Sequence, residues 1–89
     1  MSKGKQVKAL PTPDLNAPMS LELVAQAIRA KRTQEGLDTQ TAALLCGVSA
    51  VTLNKIENGS KGVRFESVLK IMLSLGIKLT ILPWEKNNA

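Results

Sequence analysis

The chain is 89 residues long with 44% apolar residues, enough for one small hydrophobic core and too few for a second. Twelve lysines and arginines stand against seven acids, a net charge of +5 that favours an anionic partner without resembling a polybasic tail. Histidine and tyrosine are absent and there is one cysteine, which excludes imidazole-based triads, an internal disulfide and the common zinc sites.

An enzyme is therefore not expected, nor a metal or cofactor. A domain this small buries little surface by itself, so a partner subunit is expected on size alone.

Residues 1–18 carry Lys3, Lys5 and Lys8, three prolines (Pro11, Pro13 and Pro18) and few large apolar groups. This composition predicts a disordered N-terminal segment, or else an arm that follows DNA phosphates or touches a partner. No sustained apolar core of a secretory leader is present, and no later segment is long enough to span a bilayer. A cytoplasmic protein without membrane association is expected. The folded domain is placed at 19–83 and a tail at 84–89.

Ser20 caps a first helix that runs to about Glu35, with Leu21, Val24, Ala27 and Ile28 as its apolar stripe and Arg29, Lys31 and Arg32 facing outward. Gly36 ends it. Arg32 is a candidate for a DNA phosphate, although a basic last turn is also what the helix dipole favours. Asp38 then caps a second helix, Thr39 to Cys46. The amides at its start can hold a phosphate, with Thr39 and Gln40 adding side-chain donors.

Ala43 must be small because another helix crosses there, Cys46 reads as a buried core residue, and Gly47 sits where the chain turns through a left-handed conformation. Val48 plugs the space between two helices, Ser49 caps the next, and Leu53 with Ile56 form its inner face. Ala50, Val51, Asn54 and Lys55 are left outward. Two short helices joined by a tight glycine turn are the layout of a DNA-reading helix-turn-helix. In that reading Lys55 donates to a guanine, Asn54 pairs with an adenine, and Ala50 and Val51 pack on thymine methyls. Ser49 and Thr52 touch phosphate. The loop from Asn58 to Arg64 is flexible at Gly59 and Gly62 and basic at Lys61 and Arg64. Either it lies along the DNA backbone, with Asn58, Lys61 and Arg64 on phosphates, or it is a solvated turn.

Phe65 to Leu75 predicts a fourth helix with Val68, Leu69, Met72 and Leu75 as its core face, closed by Gly76. Ile77 to Leu82 then alternates apolar with polar and stops at Pro83, which reads as one strand with Ile77, Leu79 and Ile81 inward. The chain holds no second strand to pair with it. The same strand of a second copy satisfies both its backbone and its apolar face, giving a two-stranded ribbon across a symmetric homodimer. Trp84 covers the end of that ribbon or sits in another protein's pocket.

Gly36-Leu37, Ala43, Gly47-Val48-Ser49, Leu53, Ile56-Glu57-Asn58-Gly59 and Leu69-Lys70-Ile71…Leu75-Gly76 together resemble the Cro/repressor (XRE) helix-turn-helix family over about Leu21 to Leu82. The resemblance implies an all-α, lambda-repressor-like bundle of about four helices, with the C-terminal strand where that family usually has a fifth helix. The strand is similar to that of the HipB-like antitoxin branch. That likeness implies a homodimeric repressor of its own operon on an inverted-repeat operator in double-stranded DNA, with a HipA-like serine/threonine kinase toxin as partner. A stand-alone phage-like or housekeeping repressor with no toxin is the alternative. The sequence departs from the pattern in two respects. Thr39 stands where a glutamine usually opens the second helix, with Gln40 one step later. Ala42 stands where a large apolar residue usually precedes the motif alanine, while Leu44 and Leu45 stand where polar residues are common, which calls for a rotated helix or a neighbour on that face.

Overall fold

Four helices form in the computed structural model, which describes residues 6–84: α1 (Leu21–Gln34), α2 (Thr39–Cys46), α3 (Ala50–Glu57) and α4 (Phe65–Ser74). Three of them start on the cap residues that the sequence names. Ser20 Oγ accepts from the Leu23 amide at 3.0 Å, Asp38 Oδ1 from that of Thr41 at 2.8 Å, and Ser49 Oγ from that of Thr52 at 3.0 Å. Each satisfies an amide that the first helical turn leaves without a carbonyl. The fourth, α4, begins at Arg64 without a side-chain cap.

The turn between α2 and α3 shows how the helices end. Gly47 stands at φ 72°, a conformation that strains any residue with a Cβ. Its amide bonds to the Leu44 carbonyl at 3.2 Å while the Val48 amide reaches Ala43 at 3.0 Å, the paired bonds of a Schellman turn. The same pairing closes the other three helices.

Inside, α1 packs on α3, α2 packs on α3 and α4, and α3 packs on α4. Ile28, Leu53 and Ile71 are fully buried at the centre, joined by Ala42, Ala43, Cys46, Ile56, Val68, Met72 and Leu75. The alanine expected at the helix crossing is there. Burial pushes the Cys46 thiol above its ordinary range, and its Sγ lies 3.9 Å from the Ile71 carbonyl. Ala42 and Ala43 are both buried on the inner side of α2, and Leu44 and Leu45 point to solvent at 83% and 58% exposure.

The described part of the N-terminal segment lies against α1. The Leu10 amide donates to Thr33 Oγ1 at 3.0 Å, and Gln34 Nε2 donates to the Leu10 carbonyl at 2.9 Å and to Thr12 Oγ1 at 3.0 Å. Composition missed this because the tie is made by two polar side chains more than twenty residues away. Residues 1–5, with Lys3 and Lys5, and 85–89 of the expected tail lie outside the described residues.

After α4 the chain runs from Ile77 to Trp84 with neither helix nor paired strand. A ladder needs a second strand, and within one chain the expected ribbon is untested. Ile77 packs against the core, whereas Ile81 and Trp84 are 86% and 80% exposed. Among the described residues no helix is long and apolar enough to cross a membrane.

Candidate nucleic-acid interface

The geometry of the site starts from how α3 is held. Its inner face, Leu53, Ile56 and Glu57, is buried, and Glu57 is an acid at the C-terminal end of a helix, where the dipole disfavours negative charge. Two guanidiniums from α1 offset this. Arg32 Nε lies 2.6 Å from Glu57 Oε2 and its Nη2 2.9 Å from Oε1, while Arg29 Nε approaches Oε1 at 3.4 Å. Arg32 Nη1 also donates to the Leu37 carbonyl at 2.8 Å, and Arg29 Nη2 to Asn58 Oδ1 at 3.2 Å. The two-pronged contact fixes both the distance and the rotation of α3 relative to α1.

This arrangement corrects one sequence expectation. Arg32, expected at a phosphate, is turned inward: its side chain is 11% exposed and three of its N–H groups are engaged by Glu57 and the Leu37 carbonyl. A basic last turn looks the same in sequence whether it points to solvent or to an acid twenty-five residues further on. Glu57 is the residue that sequence reasoning passed over. Its signal was an acid inside the otherwise apolar inner spacing of α3.

On the opposite face Val51 is 63% exposed, and Asn54 and Lys55 are exposed beside it. Ala50 is half-buried against the core, so its methyl group is only partly available to a thymine. The outward surface is thus Val51, Asn54 and Lys55, which offers an apolar contact, an amide with both donor and acceptor, and a cation.

Thr52 and Lys55 share a shallow cleft of about 350 Å³ with Gly62, Val63, Arg64 and Ser67. The cleft brings α3, the loop after it and the first turn of α4 to one edge. Three of the expected contacts, Thr52, Lys55 and Arg64, therefore lie together, and Ser67 joins them although the sequence did not single it out. Lys61 and Asn58 are exposed in the same loop, with Asn58 Oδ1 engaged by Arg29. Ser49 and Thr52 also bond to one another, hydroxyl to hydroxyl at 3.0 Å. Thr39 is half-buried and Gln40 exposed at the start of α2.

A pair of short helices crossing through a left-handed glycine, with a buried anchor behind the second and cations beside its free face, defines a helix-turn-helix. The chain belongs to the helix-turn-helix family, whose model matches residues 28–82, more than half its length, and it is a DNA-binding regulator of the XRE type.

Solved structures share the fold. The HipB chain of a HipA–HipB–O2–O3 complex is 23% identical with a TM-score of 0.67, over 78% of this chain and 97% of that one. A HipB–O4 20mer complex gives the same values. The restriction-modification controller protein C.AhdI from Aeromonas hydrophila is 31% identical with a TM-score of 0.57, over 65% of this chain and 84% of that one. Comparison with curated proteins finds no match.

Proposed function

We propose that the chain is a homodimeric transcriptional repressor that places α3 of each subunit in successive major grooves of an inverted-repeat operator, about 34 Å apart. One observation carries this reading: Val51, Asn54 and Lys55 stand free on a helix whose other side is locked to α1 through Glu57 and Arg32. Lys55 donates to a guanine and Asn54 pairs with an adenine, Val51 and the partly exposed Ala50 meet thymine methyls, and Ser49, Thr52, Asn58, Lys61 and Arg64 follow the phosphates with Thr39 and Gln40 at the α2 N-terminus. Ile77, Leu79, Ile81 and Trp84 form the dimer contact.

The finer reading is an antitoxin that represses its own operon and holds a HipA-like serine/threonine kinase toxin. Support comes from the resemblance of the motif series and from the segment after α4 that stands in place of a fifth helix. The likeness to HipB is one of fold. The 31% identity to a controller protein supports the second reading, a stand-alone repressor without a toxin.

Titrating the purified protein onto a duplex carrying its own upstream region, at low and then rising salt, tests the first claim. Saturable binding that a scrambled duplex does not match is the expected result, and equal affinity for both sequences would sink it. Copurification with the product of the adjacent gene separates the two finer readings: a retained kinase-like protein supports the antitoxin, and a repressor that elutes alone supports the controller type.

A further inference from the structure

A concavity of about 650 Å³ lies away from the DNA-facing edge. It is an apolar groove floored by Val24 and Ala27 of α1 and Met72 of α4, walled on one side by Leu15 and Met19 and on the other by Leu79. The wall from the N-terminal segment is fixed in place, because Leu10 and Thr12 are hydrogen-bonded to Thr33 and Gln34 on the same helix. Leu15 and Met19 are each 64% exposed. A single copy therefore keeps a preformed apolar slot open to water, an arrangement whose cost an occupant removes.

The chain also carries an apolar end with no seat of its own. Ile81 and Trp84 are 86% and 80% exposed, and they follow directly on the residues that line the groove. Antiparallel pairing of two copies of 77–82 about a two-fold axis near Thr80 sets residue 84 of one copy within a residue of Gly76 of the other. Gly76 lines the groove. The two features thus meet by symmetry, and each copy supplies one slot and one plug.

We propose that the groove between the N-terminal segment and α1 is the seat for the Trp84 end of a second copy of this chain. The inference rests on the homodimer reading and adds to it a specific pocket and a role for residues 10–19, which lie outside the family-matched region. The N-terminal segment acts as a strap that shapes the slot, and the dimer is locked by exchange of indoles as well as by strand pairing.

Trp84 is the single tryptophan of the chain, so its emission reports this seat directly. The full-length protein is diluted through its dissociation range while emission and sedimentation are followed together, for the wild type and for Leu15→Glu and Met19→Glu. Both sites are exposed in one copy, so helix content by circular dichroism should stay unchanged. Emission is expected to shift to shorter wavelength as the dimer forms, with dimerisation weakened about tenfold or more in each variant. A dimer whose Trp84 emission stays solvent-like, or whose dissociation constant ignores both substitutions, overturns the seat and leaves the dimer intact. A protein that stays monomeric at every concentration overturns the dimer reading itself. Emission that shifts only when the product of the adjacent gene is added places the indole in another protein and equally overturns the proposal.

Discussion

The two faces of α3 share eight residues and one backbone, yet they are held to opposite requirements. The inner face is saturated: Leu53 and Ile56 are buried in apolar contact, and Glu57 has both carboxylate oxygens bound by arginines from α1. On the outer face Val51, Asn54 and Lys55 are exposed. Rigidity and recognition are thus placed on opposite sides of one helix. A helix of this length is not stable by itself in water, so the inner contacts are what present the outer residues at a fixed angle.

Mutations that attack the inner face should cost folding, and those on the outer face should cost binding without folding. Glu57→Ala leaves the Arg32 guanidinium, 11% exposed, facing an empty buried site, and an unfolding free-energy loss of about 3–5 kcal/mol is expected in denaturant titrations. A loss below about 1 kcal/mol would show that the tie does not hold α3. Lys55→Ala should leave the melting curve unchanged and weaken binding to the preferred duplex by about 1–3 kcal/mol, relaxing preference at one base pair. Equal affinity for wild type and variant across all duplexes would remove α3 as the reader.

Smaller effects sharpen the same division. Asp38→Ala removes the α2 cap and should lower stability by about 1 kcal/mol, read from the shift in denaturant midpoint at constant slope. Lys61→Ala should weaken all duplexes alike and reduce the slope of log affinity against log salt by about one, with no change in sequence preference. A changed preference would move Lys61 from the backbone to the bases.

The smallest expected effect concerns pH. Lys31 bonds to Glu35 at 2.8 Å and holds that carboxyl below its ordinary range. A lowered folded-state value gives stabilisation that is present above the ordinary carboxylate range and lost as pH falls through it. Glu35→Gln should therefore differ from wild type slightly at neutral pH and converge with it in acid. A difference that persists in acid would locate the effect elsewhere.

Much of this was legible along the chain because it is local. Ser20, Asp38 and Ser49 act on amides three residues ahead, and Gly47 acts on its own φ, so cap and turn chemistry can be read within a few residues. Ala43 and Leu53 were readable from size and spacing. Other roles were hidden by distance. Arg32 reads as a surface cation until Glu57 is brought to it, Leu10 and Thr12 read as loose chain until Gln34 reaches them, and Ala50 reads as outward until the core presses on it. Ser67 entered the cleft only because the loop from 58 to 64 folds the start of α4 towards α3.

By itself the sequence determined the four helices, the caps of the first three, the glycine turn and the family, because hydrogen bonds and periodicity within one helix depend on residues a turn apart. Only the tertiary structure decided which charges are consumed inside, that the N-terminal segment is bound to α1, and that an apolar groove stands beside it. Those depend on which of many possible partners lies within hydrogen-bonding distance, and that is fixed by how the helices cross.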